Sequence, residues 1–189
     1  MKKIKLLVSV ILLLSLSIPV FSQGFTPPAS GNAAVYFVRV TSFGGAASFE
    51  YFHNEDFIGI FKGQNYMRYE CAEGEHLFWA SSEDKEFVKC DLKAGETYVI
   101  LVNVEMGAWK ARVGLEPLTT DNKDFERVKK LIAKKKPIIT SDKKIKSTQA
   151  KLEKRGFIAN IMARYEKDWK NKGNTKTMSA DMFIPKNQL

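Results

Sequence analysis

Residues 49–105 consist of short runs rich in β-branched and aromatic residues, separated by clusters of turn-forming residues at 54–56, 73–75 and 94–96. Apolar and polar residues alternate in most of these runs, which is the period of a strand with one buried face. Short strands with a turn about every eight to twelve residues are typical of β-sandwiches. The pattern therefore predicts a mainly β fold, an antiparallel β-sandwich of about seven strands.

The predicted sandwich domain covers residues 33–120. Residues 23–32, rich in proline, glycine and small polar residues, are predicted to be a flexible lead-in. The run at 97–105 is apolar on both faces over its middle, so we expect that strand to be central and covered on both sides. The other strands are predicted at 33–41, 48–53, 57–61, 66–71, 75–82, 86–92 and 109–118.

The strands at 75–82 and 86–92 are joined by a loop of hairpin length. With Ser82 opposite Glu86, the face expected in the core carries His76, Phe78, Ala80, Val88, Cys90 and Leu92. The opposite face carries Leu77, Trp79 and Phe87, and an apolar patch there is either covered or a binding surface. We expect the C-terminal helices to cover it. The alternative is an aromatic surface patch that binds a carbohydrate or peptide.

Residues 1–22 have the composition of a secretory signal peptide. Three lysines precede the uncharged run 6–21, and small or aliphatic residues stand before a cleavage position at Gln23. The alternative is a retained anchor, which needs a longer apolar segment of about 20 residues. The first cysteine is Cys71, so no lipid-modified cysteine is expected at the cleavage site. We predict a soluble exported protein, periplasmic or extracellular, that is not a lipoprotein and has no transmembrane helix after cleavage.

The charge of the chain is divided unevenly. Residues 23–120 contain 8 basic and 13 acidic residues, whereas residues 121–189 contain 19 basic and 8 acidic residues. Residues 121–172 are predicted to be a basic helical extension and residues 173–189 a polar tail that frays. Such asymmetry indicates an interaction segment, although a solvated helical face is the simpler explanation.

The basic extension is predicted to contain two helices. Thr120 or Asp121 is expected to cap the first, and Pro137 follows its end. A second begins after Ser141, and Gly156 is expected to kink or divide it. The apolar residues of the last segment recur at helical spacing and form the stripe expected to cover the hairpin: Ile158, Ile161, Met162, Tyr165 and Trp169.

The partners expected for these helices are an anionic membrane surface, a cell-envelope polymer or a protein. Nucleic acid is not expected, because the signal peptide predicts export from the cytoplasm. The expected function is binding or scaffolding at the cell envelope.

The sequence contains few residues arranged for catalysis. It has no nucleophile elbow, Walker loop or dinucleotide fingerprint. His53 and His76 lie in no metal-binding motif, and Cys71, Cys90 and His76 lack the short spacings and fourth ligand of structural zinc sites. We therefore predict a non-enzymatic protein without a metal or cofactor, with a small extracytoplasmic hydrolase as the lowest-ranked alternative. Cys71 and Cys90 form either a disulfide or two buried free thiols, and both remain open.

Five short motifs occur between residues 34 and 118: VYFVR at 35–39, NEDFIG at 54–59, GQNY at 63–66, GEH at 74–76 and AGETY at 94–98. In this order they resemble the motifs of a bacterial family, domain of unknown function 2846, and more distantly the PEGA-type carbohydrate-binding-like sandwiches. The resemblance implies a small envelope sandwich without an established activity, and it supplies no site residues. Glu73 replaces the family's usual proline, and the basic extension lies outside the pattern.

Overall fold

The computed structural model describes residues 24–107, 111–170 and 175–189. The predicted signal peptide and Trp109 lie outside the described residues. The strands are β1 (Asn32–Val38), β2 (Ser48–His53), β3 (Asp56–Lys62), β4 (Tyr66–Ala72), β5 (Gly74–Ser81), β6 (Lys85–Leu92), β7 (Thr97–Met106), β8 (Ala111–Leu118) and β9 (Lys176–Met178). The helices are α1 (Phe125–Lys134), α2 (Asp142–Lys154) and α3 (Phe157–Arg164), with a π-helical turn at Tyr165–Trp169 and a 3-10 turn at Lys186–Gln188.

The strands form two sheets, one of order β4-β1-β7-β8 and one of order β3-β2-β5-β6-β9. Side chains from both sheets form the main core, among them Phe37, Tyr51, Phe78, Ile100 and Leu115. The mainly β sandwich with C-terminal helices is therefore confirmed. Two pairs of neighbouring strands, β1 with β7 and β6 with β9, are parallel, so the sheets are mixed rather than purely antiparallel.

The hairpin of β5 and β6 has a different register from the predicted one but the predicted faces. Ser81, rather than Ser82, begins the pairing and lies opposite Lys85, and Phe78 lies opposite Val88. The predicted pairing is wrong by two residues. Because side chains alternate with a period of two, this shift moves no residue to the other face. Phe78 and Val88 accordingly face the core, and Trp79 lies on the outer face.

Helix α1 covers the outer face of the first sheet. It buries Phe125, Val128 and Ile132 in one cluster with Val99 and Leu101 of β7. The central strand β7 is thus covered on both faces, as its sequence predicts. The helix begins later than expected, because its N-cap is Asp124 rather than Thr120 or Asp121.

Helices α2 and α3 cover the outer face of the second sheet. The Ser141 side chain accepts a hydrogen bond from the Lys144 backbone N–H and so caps α2. Gly156 separates the two helices in a left-handed conformation with φ of 62°, which glycine adopts without a steric penalty. The predicted division of this region at Gly156 is therefore correct.

Both ends of the described chain pack on the sandwich, contrary to the sequence-based expectation. Phe25, in the segment expected to be flexible, makes an edge-to-face contact with Tyr36 at a centroid distance of 4.9 Å. In the tail expected to fray, β9 pairs with β6, and Met178 and Ile184 are fully buried. These isolated apolar residues carry no periodic signal, because each fills a gap that only the assembled sheets create.

The segment between α1 and α2 runs past the sandwich edge formed by β3 and β4. The Ile138 backbone N–H donates to the Tyr66 carbonyl at 2.8 Å, and the Ile60 N–H donates to Thr140 Oγ1 at 3.1 Å. These bonds pair backbone groups on one edge strand of each sheet. Among the described helices, none is both long enough and apolar enough to cross a membrane.

Candidate functional site

The aromatic face of the hairpin is closed to solvent. Trp79 is fully buried and Phe87 is 4% exposed. Trp79 stacks on Phe52, and the apolar stripe of the C-terminal helices packs over both. The expected cover by the C-terminal helices is therefore observed, and Trp79 and Phe87 present no open surface to a carbohydrate or peptide in this structure. Leu77 is partly buried in the same cluster.

Hydrogen bonds fix both the buried Trp79 indole and the helix α2 that helps to cover it. The Trp79 indole N–H donates to the Asn54 carbonyl at 2.8 Å. In α2, Gln149 Oε1 accepts from the Phe57 N–H at 2.7 Å, and its amide nitrogen donates to the Glu55 carbonyl at 3.2 Å. Gln149 thus satisfies backbone groups of the β2–β3 hairpin, which orients α2 on the sheet.

A cluster of two histidines and a cysteine lies at one end of the sandwich, between the sheets. His53 is the last residue of β2 and His76 lies near the start of β5, on neighbouring strands of one sheet. Cys71 lies near the end of β4, in the other sheet. The Nδ1 or Nε2 atoms of the histidines and the Cys71 Sγ all lie within 4.8 Å of one another. The sandwich thus brings together, from both sheets, three side chains of types that can bind a metal ion.

A chain of hydrogen bonds runs through the two imidazoles. His76 Nε2 lies 2.9 Å from the Ala72 carbonyl oxygen, so this nitrogen carries hydrogen and donates. Neutral His76 then accepts at Nδ1, which lies 2.8 Å from His53 Nε2, the donor. His53 Nδ1 in turn accepts from the Tyr69 hydroxyl at 3.1 Å. This tautomer assignment follows from the hydrogen-bond pattern, and it satisfies all four ring nitrogens.

Burial shifts the pKa values of three side chains at this end of the sandwich. Burial lowers the pKa of His53, as does nearby His76, against a smaller opposing effect of Asp56. Burial raises the pKa of the Cys71 thiol to about 11. Burial, with smaller contributions from Cys71 and Asp56, raises the pKa of Tyr69 to about 12. Burial therefore favours the uncharged forms of His53, Cys71 and Tyr69.

Both cysteines are buried and free in the structure, which is the free-thiol alternative rather than the disulfide. Cys90 lies opposite His76 in the β5–β6 register. Burial raises its pKa well above the usual thiol value, and Cys71 raises it further. The cluster shares Cys71 and His76 with the three residues considered from the sequence as zinc ligands. Its third member is His53 and not Cys90.

Sequence reasoning overlooked this group because its members are distant in the chain. His53 and His76 are 23 positions apart, in no spacing that indicates a metal site. The available signal was positional: both histidines stand at strand ends, and a correct pairing of β2 with β5 brings these ends together.

His76 also lines a surface cleft of about 380 Å³ between the hairpin and the helical layer. Its other walls include Asn54, Leu77, Asp91 and Tyr165. His76 is the member of the histidine pair that lines the cleft, so a small solute can reach His76 from solvent without unfolding of the sandwich.

No family model, curated protein or solved structure matches this chain. The fold and the cluster define its class by themselves: a two-sheet β-sandwich with helices on both outer faces and a histidine–cysteine cluster between the sheets. The resemblance to the domain of unknown function 2846 family stays a prediction.

Proposed function

We propose that this chain is an exported, non-enzymatic protein of the cell envelope that binds anionic membrane surfaces through residues 134–155, the basic segment. This segment contains nine basic and two acidic residues. The observation that carries the proposal is that the lysines of α2 face solvent and that Ile139, which precedes this helix, is exposed.

Helix α2 presents two different faces. Leu152 is buried, and Ile145 packs partly against the same cluster. The lysines of the helix are exposed: Lys143, Lys144, Lys146, Lys151 and Lys154. Within the described ranges, no salt bridge involves any of these five lysines. Their charges are therefore available to an external anion.

Ile139 favours a membrane over a soluble polyanion. It is 83% exposed, although the segment around it is held by hydrogen bonds of the Ile138 backbone N–H and the Thr140 hydroxyl. An exposed apolar residue between groups of lysines suits the boundary between lipid headgroups and acyl chains. Each lysine near an anionic surface contributes about 1 kcal/mol of attraction, which salt weakens.

Export is supported by the signal-like composition of residues 1–22. A non-enzymatic role is supported by the lack of catalytic motifs in the sequence. Periplasmic or extracellular localisation is thus part of the same proposal, as is a scaffolding role at the envelope.

The test is sedimentation of the purified protein with lipid vesicles. We expect binding to vesicles containing phosphatidylglycerol, weak binding to pure phosphatidylcholine, and loss of binding at high salt. The triple variant Lys144→Gln, Lys146→Gln and Lys151→Gln is expected to bind about 100-fold more weakly, from about 1 kcal/mol per lysine.

A matched control removes the same charge from the sandwich. Lys62, Lys89 and Lys93 are exposed, and their joint replacement by glutamine is expected to change binding little. Equal losses in both triple variants would show an effect of net charge alone and overturn the proposal. Ile139→Ser is expected to weaken vesicle binding but not binding to soluble polyphosphate. Stronger binding to polyphosphate than to vesicles would show that the basic segment binds a soluble polyanion, and it would overturn the membrane-binding proposal.

A further inference from the structure

We propose that His53, Cys71 and His76 form a binding site for a divalent transition-metal ion, and that Zn²⁺ is the ion that fits it best. This inference is independent of the membrane-binding proposal, because it concerns other residues and another ligand. Two imidazoles and a thiolate are nitrogen and sulfur ligands of the kind that zinc takes.

The interatomic distances are close to those of a zinc site. Tetrahedral zinc holds nitrogen at about 2.0–2.1 Å and thiolate sulfur at about 2.3 Å, which places ligand atoms roughly 3.3–3.6 Å apart. In the structure, His53 Nε2 and His76 Nδ1 are 2.8 Å apart, and one ring nitrogen of each histidine and the Cys71 Sγ lie within 4.8 Å of one another. Side-chain rotations that move the ligand atoms by about 1 Å therefore suffice, without a change of the strands.

The remaining ring nitrogens already have the partners that metal-binding histidines need. A ligating histidine usually donates its other N–H to a carbonyl, a carboxylate or water, which fixes the ring. His76 Nε2 donates to the Ala72 carbonyl in this way. His53 Nδ1 contacts the Tyr69 hydroxyl, which accepts a hydrogen bond once that nitrogen carries the hydrogen.

Metal binding requires two proton changes. His53 shifts its hydrogen from Nε2 to Nδ1, which frees the Nε2 lone pair and reverses the bond with Tyr69. Cys71 releases its thiol proton to solvent and binds as the thiolate. The ion thereby replaces the hydrogen that the two imidazoles share in its absence.

The fold holds the three side chains and gives access to them. The histidines come from one sheet and the cysteine from the other, and the His53 ring stacks on Phe78 at a centroid distance of 4.8 Å. The cleft beside His76 provides an entry path. Three protein ligands leave a fourth position for water or an external ligand, as in open zinc sites.

The test is titration of the reduced, chelator-treated full-length protein with Co²⁺ and then with Zn²⁺. We expect one Co²⁺ per chain, with the visible absorption of a tetrahedral site and a thiolate charge-transfer band in the near ultraviolet. Zn²⁺ is expected to displace the Co²⁺ stoichiometrically and to raise the melting temperature, because it binds only the folded state. Absence of stoichiometric binding, or octahedral Co²⁺ spectra without the thiolate band, would overturn the proposal.

The two buried cysteines provide a matched pair of variants. Cys71→Ser is expected to abolish the thiolate band and to weaken Zn²⁺ binding by more than about 100-fold. This loss exceeds the about 10- to 100-fold loss of affinity that follows when a hydrogen-bond partner of a metal ligand is removed. Cys90→Ser is expected to keep both the band and the affinity. Equal effects of the two substitutions would contradict the assignment.

Two further variants examine the histidines. His76→Gln is expected to lose affinity like Cys71→Ser, and Tyr69→Phe to lose about 10-fold while the thiolate band remains. Circular dichroism of each metal-free variant establishes that it is folded. A folded His76→Gln variant with unchanged affinity would overturn the site.

Discussion

The indole of Trp79 lies flat on the ring of Phe52, with centroids 3.7 Å apart and planes 6° from parallel. Both side chains are fully buried, and Phe157 of α3 lies 6.4 Å from the indole. The stack stands on the outer face of the sheet, where the sandwich core cannot cover it. Its burial therefore depends on the C-terminal helices, which makes the basic extension part of the fold as well as the proposed membrane-binding surface.

Trp79→Ala is expected to lower the free energy of unfolding by about 3–5 kcal/mol, because it leaves a large cavity under α3. Trp79→Phe keeps an aromatic ring but leaves the Asn54 carbonyl without its donor, at a cost of about 1–3 kcal/mol. Trp169→Ala is the control, because Trp169 is only partly buried, and a loss of about 1 kcal/mol is expected. Urea denaturation followed by circular dichroism measures all three. Equal losses for Trp79→Ala and Trp169→Ala would contradict the described packing.

A protein ending at Thr120 is expected to aggregate, because it lacks the cover of both outer faces. The uncovered residues would include Val99 and Leu101 on one sheet and Phe52 and Trp79 on the other. Contiguous apolar patches of this kind drive association. Removal of residues 186–189 alone is the control and should leave the protein monomeric in size-exclusion chromatography. A monomeric, folded product ending at Thr120 would show that the sandwich is stable without its helices.

Arg39→Lys is expected to destabilise the protein by about 3 kcal/mol and to loosen residues 42–47. Arg39 is fully buried, and its guanidinium donates to the carbonyls of Ala47, Phe43 and Gly44 at 2.9, 2.6 and 2.7 Å. A lysine amine cannot reproduce this fork of donors. Hydrogen exchange of the loop amides and the urea midpoint measure the effect.

Arg127→Lys is the control for Arg39→Lys. The Arg127 side chain is 58% exposed and pairs with Asp124 at the start of α1. Its replacement is expected to change stability by less than about 0.5 kcal/mol. A comparable loss for both variants would contradict a special role of Arg39 in holding the loop.

Tyr51→Phe is expected to leave stability unchanged or raise it at neutral pH, and to reduce the loss of stability above pH 10. The Tyr51 hydroxyl is buried, with no hydrogen-bond partner among the described residues. Burial raises its pKa far above the ordinary 10.0, against a smaller lowering by Arg39. Above pH 10 the unfolded chain therefore loses this proton while the folded one keeps it, and stability falls by about 1.4 kcal/mol per pH unit.

Tyr66→Phe is the comparison for Tyr51→Phe. The Tyr66 hydroxyl donates to the Lys135 carbonyl at 3.1 Å, so its removal is expected to cost about 1 kcal/mol at neutral pH. Burial, with a smaller contribution from Tyr36 and against a lowering by Arg68, raises the pKa of Tyr66 to about 12. Urea denaturation at pH 7 and pH 11 separates the two variants. A larger loss of unfolding free energy at pH 7 for Tyr51→Phe than for Tyr66→Phe would contradict the hydrogen bonding described for the two hydroxyls.

Elements that depend on local periodicity were predictable. The strand predicted at 48–53 has the bounds observed for β2, and the expected apolar stripe lies in the cluster that covers Trp79. Side-chain direction repeats every two residues in a strand and every 3.6 in a helix, so neighbouring residues alone specify the buried face. The sequence by itself thus determined the β-sandwich with a helical extension, and it placed Trp79 and Phe87 together on the outer face.

The tertiary structure alone decided which distant segments meet. It set the β5–β6 register, paired β1 with β7 in parallel, and added β9 to β6. The pairing of β2 with β5 brings His53, 23 positions from His76, within hydrogen-bonding distance of it, and the packing of the two sheets places Cys71 beside both. No local pattern encodes such a meeting, because strand partners are selected by the packing of the whole core and by the closure of the loops between them.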